Sequence, residues 1–136
     1  MSEQTKITVG IILLTMPTIQ YGGFFLLKIL NGKTSIPFTD FQKTMFRAGH
    51  AHAGVLVMLA IIAQFLIDAS NVSASITFFL RLGFTLSPVM ISGGFFASAI
   101  GNGVVKPNAL IKILYFGVAL LAVVLIYLGV VLIKSA

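Results

Sequence analysis

The chain has 136 residues, 58% of them hydrophobic and 9% charged, with nine lysines and arginines against three acids and a formal charge of +6. A mean hydropathy of +1.08 excludes a water-soluble domain with a polar exterior. Glu3, Asp40 and Asp68 are the only acids, which rules out chemistry built on two close carboxylates, and the lack of cysteine rules out disulfides, thiolate metal sites, iron–sulfur clusters and covalent haem attachment.

Four apolar stretches follow one another, each at least as long as the ~20 residues a bilayer requires. The first runs from about Ile7 to Leu30 and stops at Asn31-Gly32. Lys6 precedes it, but the run has spanning length and no small-residue cleavage pattern, so it reads as a retained helix. The second opens at Thr39-Asp40-Phe41-Gln42, which has the spacing of a capping box, and continues to about Asp68. The third extends from about Ser73 to Ile100 and ends at Gly101-Asn102-Gly103. Pro107, a residue favoured in the first helical turn, starts the fourth, which reaches Lys134. The expected fold is all-α: an integral membrane four-helix bundle forming a single domain over residues 1–136.

The halves read as a duplication. Met16-Pro17 through Gly22-Gly23-Phe24-Phe25 aligns without gaps on Ser87-Pro88 through Gly93-Gly94-Phe95-Phe96, and both arms end in Asn-Gly at the same offset. Two parallel two-helix repeats, about 7–68 and 73–134, would then pair about an axis along the membrane normal. Counting from Pro37 and Pro107 places Leu120 and Ala122 opposite His50 and His52, so the histidines belong to one half only. Lys28, Lys33, Lys43, Arg47, Lys106 and Lys112 gather on the side of the first and third loops, which predicts that side to be cytoplasmic and both termini extracytoplasmic. Anionic lipid would meet that surface, and no nucleic-acid interface is expected.

Arg47, His50, Gly54, Ile61, Gln64 and Asp68 share one arc of the second helix at ~100° per residue, and polar groups avoid lipid, so this arc is expected to face the interior. Stripes on the third helix (Ser87, Gly94, Ser98, Asn102) and the fourth (Asn108, Lys112, Tyr115, Ala119, Ala122, Ile126, Gly129) are read likewise. Their polar ends coincide in depth. The expectation is a cytoplasm-side pocket built from His50, Arg47, Lys112, Tyr115, Ser98 and Asn102. His52 lies ~200° away from His50 on the same helix, so it would face a neighbouring helix or another protomer, the argument for a homo-oligomer. His50 admits several roles: an interior histidine bonded to a carbonyl or to Tyr115, an axial ligand of haem b with Arg47 and Lys112 on the propionates, or a contact to a quinone or lipid headgroup. A closed zinc site lacks ligands, and copper(I) would draw on Met45, Met58 or Met90.

The stretch from Phe46 to Leu59, with Gly-Gly-Phe-Phe ahead of it, resembles a family of small four-span bacterial membrane proteins with no assigned activity. More locally, Ala-His-Ala-Gly at the start of an aliphatic run is similar to the haem-bearing second helix of haem-copper oxidase subunit I. That resemblance implies His50 or His52 as an iron ligand in a bacterial plasma membrane. The other histidines of that family have no counterpart here, so it implies no binuclear centre. The favoured reading is a non-catalytic membrane protein binding haem b, a quinone or a lipid. The alternatives are a small transporter or channel lined by Gln20, Gln64 and Asp68, and a ligand-free accessory subunit.

Overall fold

Ser2 lies in extended conformation and its hydroxyl accepts from the Thr5 amide, which starts the first helix a turn before the apolar run. This helix, α1, spans Glu3–Leu30 in the computed structural model, which describes residues 1–135; Ala136, the end of the expected domain, lies outside the described residues. Helix α2 (Asp40–Ala69) opens on the expected capping box, with Thr39 accepting from the Gln42 amide and the Gln42 side chain accepting from the Thr39 amide. Helix α3 spans Ala74–Ser98 and α4 spans Ile111–Lys134; among the described residues there is no strand. All four are long and apolar enough to cross a membrane.

Pro107 does not begin α4. The Asn108 side-chain carbonyl accepts from the Leu110 amide, its amide group donates to Ala97, and its backbone N–H donates to the Ser98 carbonyl. Asn108 therefore ties the incoming chain to the end of α3, and the helix starts only after a tight turn of three-residue hydrogen bonds. Gly32 and Gly103, each following an asparagine, take φ +65°, the left-handed conformation that reverses the chain after α1 and α3.

Helix α2 packs on α1 and on α3, and α3 packs on α4, while α1 and α4 are not packed together. A twofold axis relating the halves would pair α4 with α1 as it pairs α2 with α3. The bundle is instead open along that seam. The central core joins Ala63 and Ile67 of α2 to Leu80 and Phe84 of α3 and Val124 and Leu128 of α4. Glycines set the α3–α4 approach: a Cβ on Gly83 would stand 2.5 Å from Val124, and one on Gly94 would stand 2.6 Å from the Leu114 backbone. Helix α1 is held by less, mainly Ile12 against Val57 and Ala60, and Ile29 against Phe46 and Ala99.

The glycine pairs lie at comparable places. Gly23 faces His50 of the following helix, and Gly94 faces Leu114. The residue opposite Gly94 is thus Leu114 rather than the Leu120 obtained by counting from the prolines. The cause lies in the helix ends: Gly94 is four residues from the end of α3 and Leu114 three residues into α4, whereas Gly23 is seven from the end of α1 and His50 ten residues into α2.

Candidate functional site

One turn apart on α2, Gln64 and Asp68 face the first half of α3, where Arg81 is the second of the chain's two arginines. Side chains lean toward the N-terminus of their helix, and the N-terminus of α3 lies beside the C-terminus of α2, so the Arg81 stem runs back toward Asp68. Its Nη2 donates to Asp68 Oδ1 at 2.6 Å and to Ser2 Oγ at 3.2 Å; its Nη1 donates to Thr5 Oγ1 at 2.7 Å and Gln64 Oε1 at 3.0 Å. Ser2 closes the ring from α1, its amide donating to Asp68 Oδ2 at 2.6 Å and its hydroxyl to Oδ1 at 2.8 Å. Arg81 is only 8% exposed, and Thr5 and Gln64 are fully buried. Three helices meet in this network. Its charge is balanced within itself, one guanidinium against one carboxylate. A single donor is left over: Arg81 Nε is buried and has no hydrogen-bond partner.

A crevice of about 740 Å³ opens beside the network, between α1 and α3. Gln4, Ile7, Thr8 and Ile11 form one wall at helical spacing, and Thr77, Phe78, Arg81, Leu82 and Thr85 form the other. The volume lies within the roughly 300–1,000 Å³ of small-molecule sites. Its walls are mostly apolar, with hydroxyls distributed along them. Among the described residues, the Thr8 and Thr77 hydroxyls bond no other protein group, while Thr85 bonds its own helix through the Arg81 carbonyl.

At the lysine-rich end the expected pocket is not assembled. His50 is half-buried between α2 and α1, its Nε2 3.0 Å from where a Cβ on Gly23 would sit; the Gly22-Gly23 notch accommodates the ring. Arg47, Asn102, Lys112 and Tyr115 are exposed, Tyr115 by 62%, and no hydrogen bond joins His50 to any of them. Ser98 is buried and bonded to the Phe95 carbonyl. The polar stripe of α4 faces outward because Leu114, Gly117, Val124 and Leu128 are the face that meets Gly83 and Gly94 and the Leu80, Phe84, Met90 and Ile91 side chains of α3. A cavity of about 200 Å³ at this end is lined by the α1–α2 loop and Lys43, and by neither histidine.

His52 is exposed. Its Nδ1 lies 2.7 Å from the Ala48 carbonyl, and its ring stands 5.0 Å from that of Phe95, so one ring nitrogen has a partner within the protomer. Since Nε2 of His50 faces the α1 backbone at Gly23, an iron atom on it would require α1 to move aside. Among the described residues no three His, Cys, Asp or Glu side chains converge as metal ligands.

Arg81 carries no role in the sequence-based expectations above. The available signal is the four-residue link, Ser70–Ser73, that joins two helices carrying Asp68 and Arg81 near their adjoining ends. No protein-family model, curated protein or solved structure matches the chain.

Proposed function

We propose that this chain is a non-catalytic, four-span integral membrane protein that binds an amphiphilic, lipid-like molecule in the crevice between α1 and α3. The carrying observation is the crevice itself, mostly apolar along two helix walls and flanked by a buried, charge-balanced network with one unused donor. Polar groups at that depth are costly unless paired, and they mark sites more often than packing. The apolar exterior supports the membrane setting: Leu14 and Ile133 are each 80% exposed, and Phe78, Phe116 and Ile126 exceed 60%. In a bilayer these side chains meet lipid, the lysine-rich loops lie in the cytoplasm and the termini lie outside. The matched Pro-to-Asn-Gly arms, with Gly23 and Gly94 each apposed to the next helix, support an ancestral two-helix repeat.

The channel reading loses its lining residues. Gln64 and Asp68 are committed to Arg81, and Gln20 faces outward.

The test is native mass spectrometry of protein released from membranes in mild detergent, comparing wild type with Ile7→Trp and Leu82→Trp. Both substitutions fill the crevice without touching the network. A co-purifying amphiphile lost from both variants, with helical content unchanged, is expected. Bare wild-type protein, or an adduct indifferent to both substitutions, would overturn the proposal.

A further inference from the structure

Two polar side chains, His52 and Gln20, are exposed near the midpoints of α2 and α1, where the bilayer reading puts lipid tails. Neither can reach a membrane surface by extending along its helix. Gln20 is ten residues from the end of α1 and His52 twelve from the start of α2, ~15 and ~18 Å at the helical rise. The neighbouring threonines of α1, Thr15 and Thr18, solve the same problem by donating to carbonyls of their own helix at 2.7 and 2.6 Å. His52 does so by half: its Nδ1 lies 2.7 Å from the Ala48 carbonyl, which can only accept, so Nδ1 carries the proton and Nε2 is left as an acceptor. Among the described residues the Gln20 side chain bonds no other protein group, and its amide offers two donors. Left in lipid, both groups are costly.

The two groups stand at one depth. Gly22 and Gly23 meet the His50 ring across antiparallel helices, so two residues back along α1 and two forward along α2 bring Gln20 level with His52. They do not meet within one chain. Gln20 lies ~80° around α1 from Ile12, which packs on α2, and directly opposite Ile11 of the crevice wall; His52 lies ~200° around α2 from the His50 that faces α1. Between them the outer face of α2 carries the small side chains Ala48 and Ala51 and the exposed Val55, which let another helix come close. A twofold axis along the membrane normal keeps every residue at its own depth and exchanges the two edges of that face. Gln20 of one copy then stands at the level and edge of His52 of the other, twice per pair. We infer that the chain forms a twofold homodimer through the outer face of α2, in which the Gln20 amide of each copy donates to His52 Nε2 of the other. Lipid tails offer neither group a partner, and a second copy offers both. The dimer uses no group of the α1–α3 crevice, so it stands or falls apart from the ligand proposed there.

The experiment is oxidative cross-linking in membranes, which this cysteine-free chain allows. Full-length Gln20→Cys and His52→Cys chains, co-expressed with different tags, meet in a dimer that sets the two cysteines together at one contact and keeps the native Gln20–His52 contact at the other. A disulfide joining the two tagged chains is expected, with little from either variant expressed alone. No such disulfide, or equal cross-linking of Gln20→Cys with itself, overturns the arrangement. Association of the purified chain in lipid bilayers, read by fluorescence energy transfer as the protein is diluted with lipid, should weaken roughly tenfold in Gln20→Leu and equally in His52→Leu, since each removes two interchain hydrogen bonds. The double variant should be no weaker than either single, because all three lose the same bonds, and Tyr21→Leu, at an exposed residue on another face of α1, should change nothing. Wild-type protein that stays monomeric at every protein-to-lipid ratio, or single losses that add in the double variant, sinks the pairing.

Discussion

Replacing Arg81 by methionine should be the most damaging single change in the protein. The substitution preserves much of the apolar stem and removes four hydrogen bonds, two of them to groups on α1 and so to the helix that is otherwise least secured. Removing one member of a buried pair costs roughly 3–5 kcal/mol, chiefly because the other charge is stranded. Asp68 retains its two bonds from Ser2 and sits one residue from the end of α2, with 17% of its side chain exposed, so it can turn partly toward water. The low end applies, about 3 kcal/mol, or a little over a hundredfold in the unfolding equilibrium. Equilibrium unfolding in mixed micelles, followed by far-ultraviolet circular dichroism, measures it. Adding Asp68→Leu to Arg81→Met should recover about 1–2 kcal/mol, since no stranded carboxylate remains. A single variant that loses less than about 1 kcal/mol, or a double variant as unstable as the sum of both singles, would refute the argument that the pair is buried and coupled.

Adjacent glycines should respond oppositely: Gly94→Ala drives a methyl into the Leu114 backbone and should cost about 1–3 kcal/mol, whereas Gly93→Ala meets open space and should gain about 0.5–1 kcal/mol from helix propensity, both read from the same unfolding assay. Gln42→Leu removes the side-chain amide that donates to the Ala99 and Gly101 carbonyls at 2.9 and 2.8 Å, so hydrogen exchange across residues 99–106 should accelerate while α1 is unaffected. Gly23→Ala should push His50 out of its notch and loosen α1, whereas Gly22→Ala, 3.7 Å from the ring, should be tolerated; protease sensitivity of the α1–α2 loop distinguishes them. In this cysteine-free chain, Asn71→Cys should react with an impermeant maleimide on intact cells and Ser35→Cys only after permeabilisation; the reverse pattern would invert the topology.

The helices were legible because hydrophobic run length and cap chemistry are local properties. Thr39 and Gln42 formed the cap their spacing announces, and the Asn-Gly pairs ended the runs they follow. Pro107 misled because a proline near a helix start is also compatible with a turn, and the bonds from Asn108 to Ala97 and Ser98, which decide between the two, join residues ten or eleven apart. Polar residues at matching depth were expected to converge around His50. Depth alone does not set which face of α4 turns inward; Gly83 and Gly94 do so by admitting Val124 and Leu114, and that selection carries Lys112 and Tyr115 outward. Of the arc on α2, Gln64 and Asp68 face the interior while Arg47 is exposed, and the partner of Gln64 and Asp68 lay on another helix. For Arg81 the sequence points to its partner only through the short 70–73 link, which brings it and Asp68 to adjoining helix ends.

The short Ser70–Ser73 link beside the Arg81–Asp68 pair bears on how such a chain enters a bilayer. Helices are delivered in order during synthesis, and an unaccompanied arginine costs roughly 2.5–3.5 kcal/mol to insert at the centre of a span and less toward the ends, where Arg81 lies. Helix α3 would therefore partition poorly as an isolated segment, while α2, ending on a carboxylate, would wait with its own unmatched charge. On the membrane reading, four intervening residues would allow the two to cross together as a hairpin already neutralised, and α1, delivered first, would be secured last, when Ser2 and Thr5 find the guanidinium. Lengthening that link with a flexible insert would then lower the yield of inserted protein without altering any contact in the finished bundle.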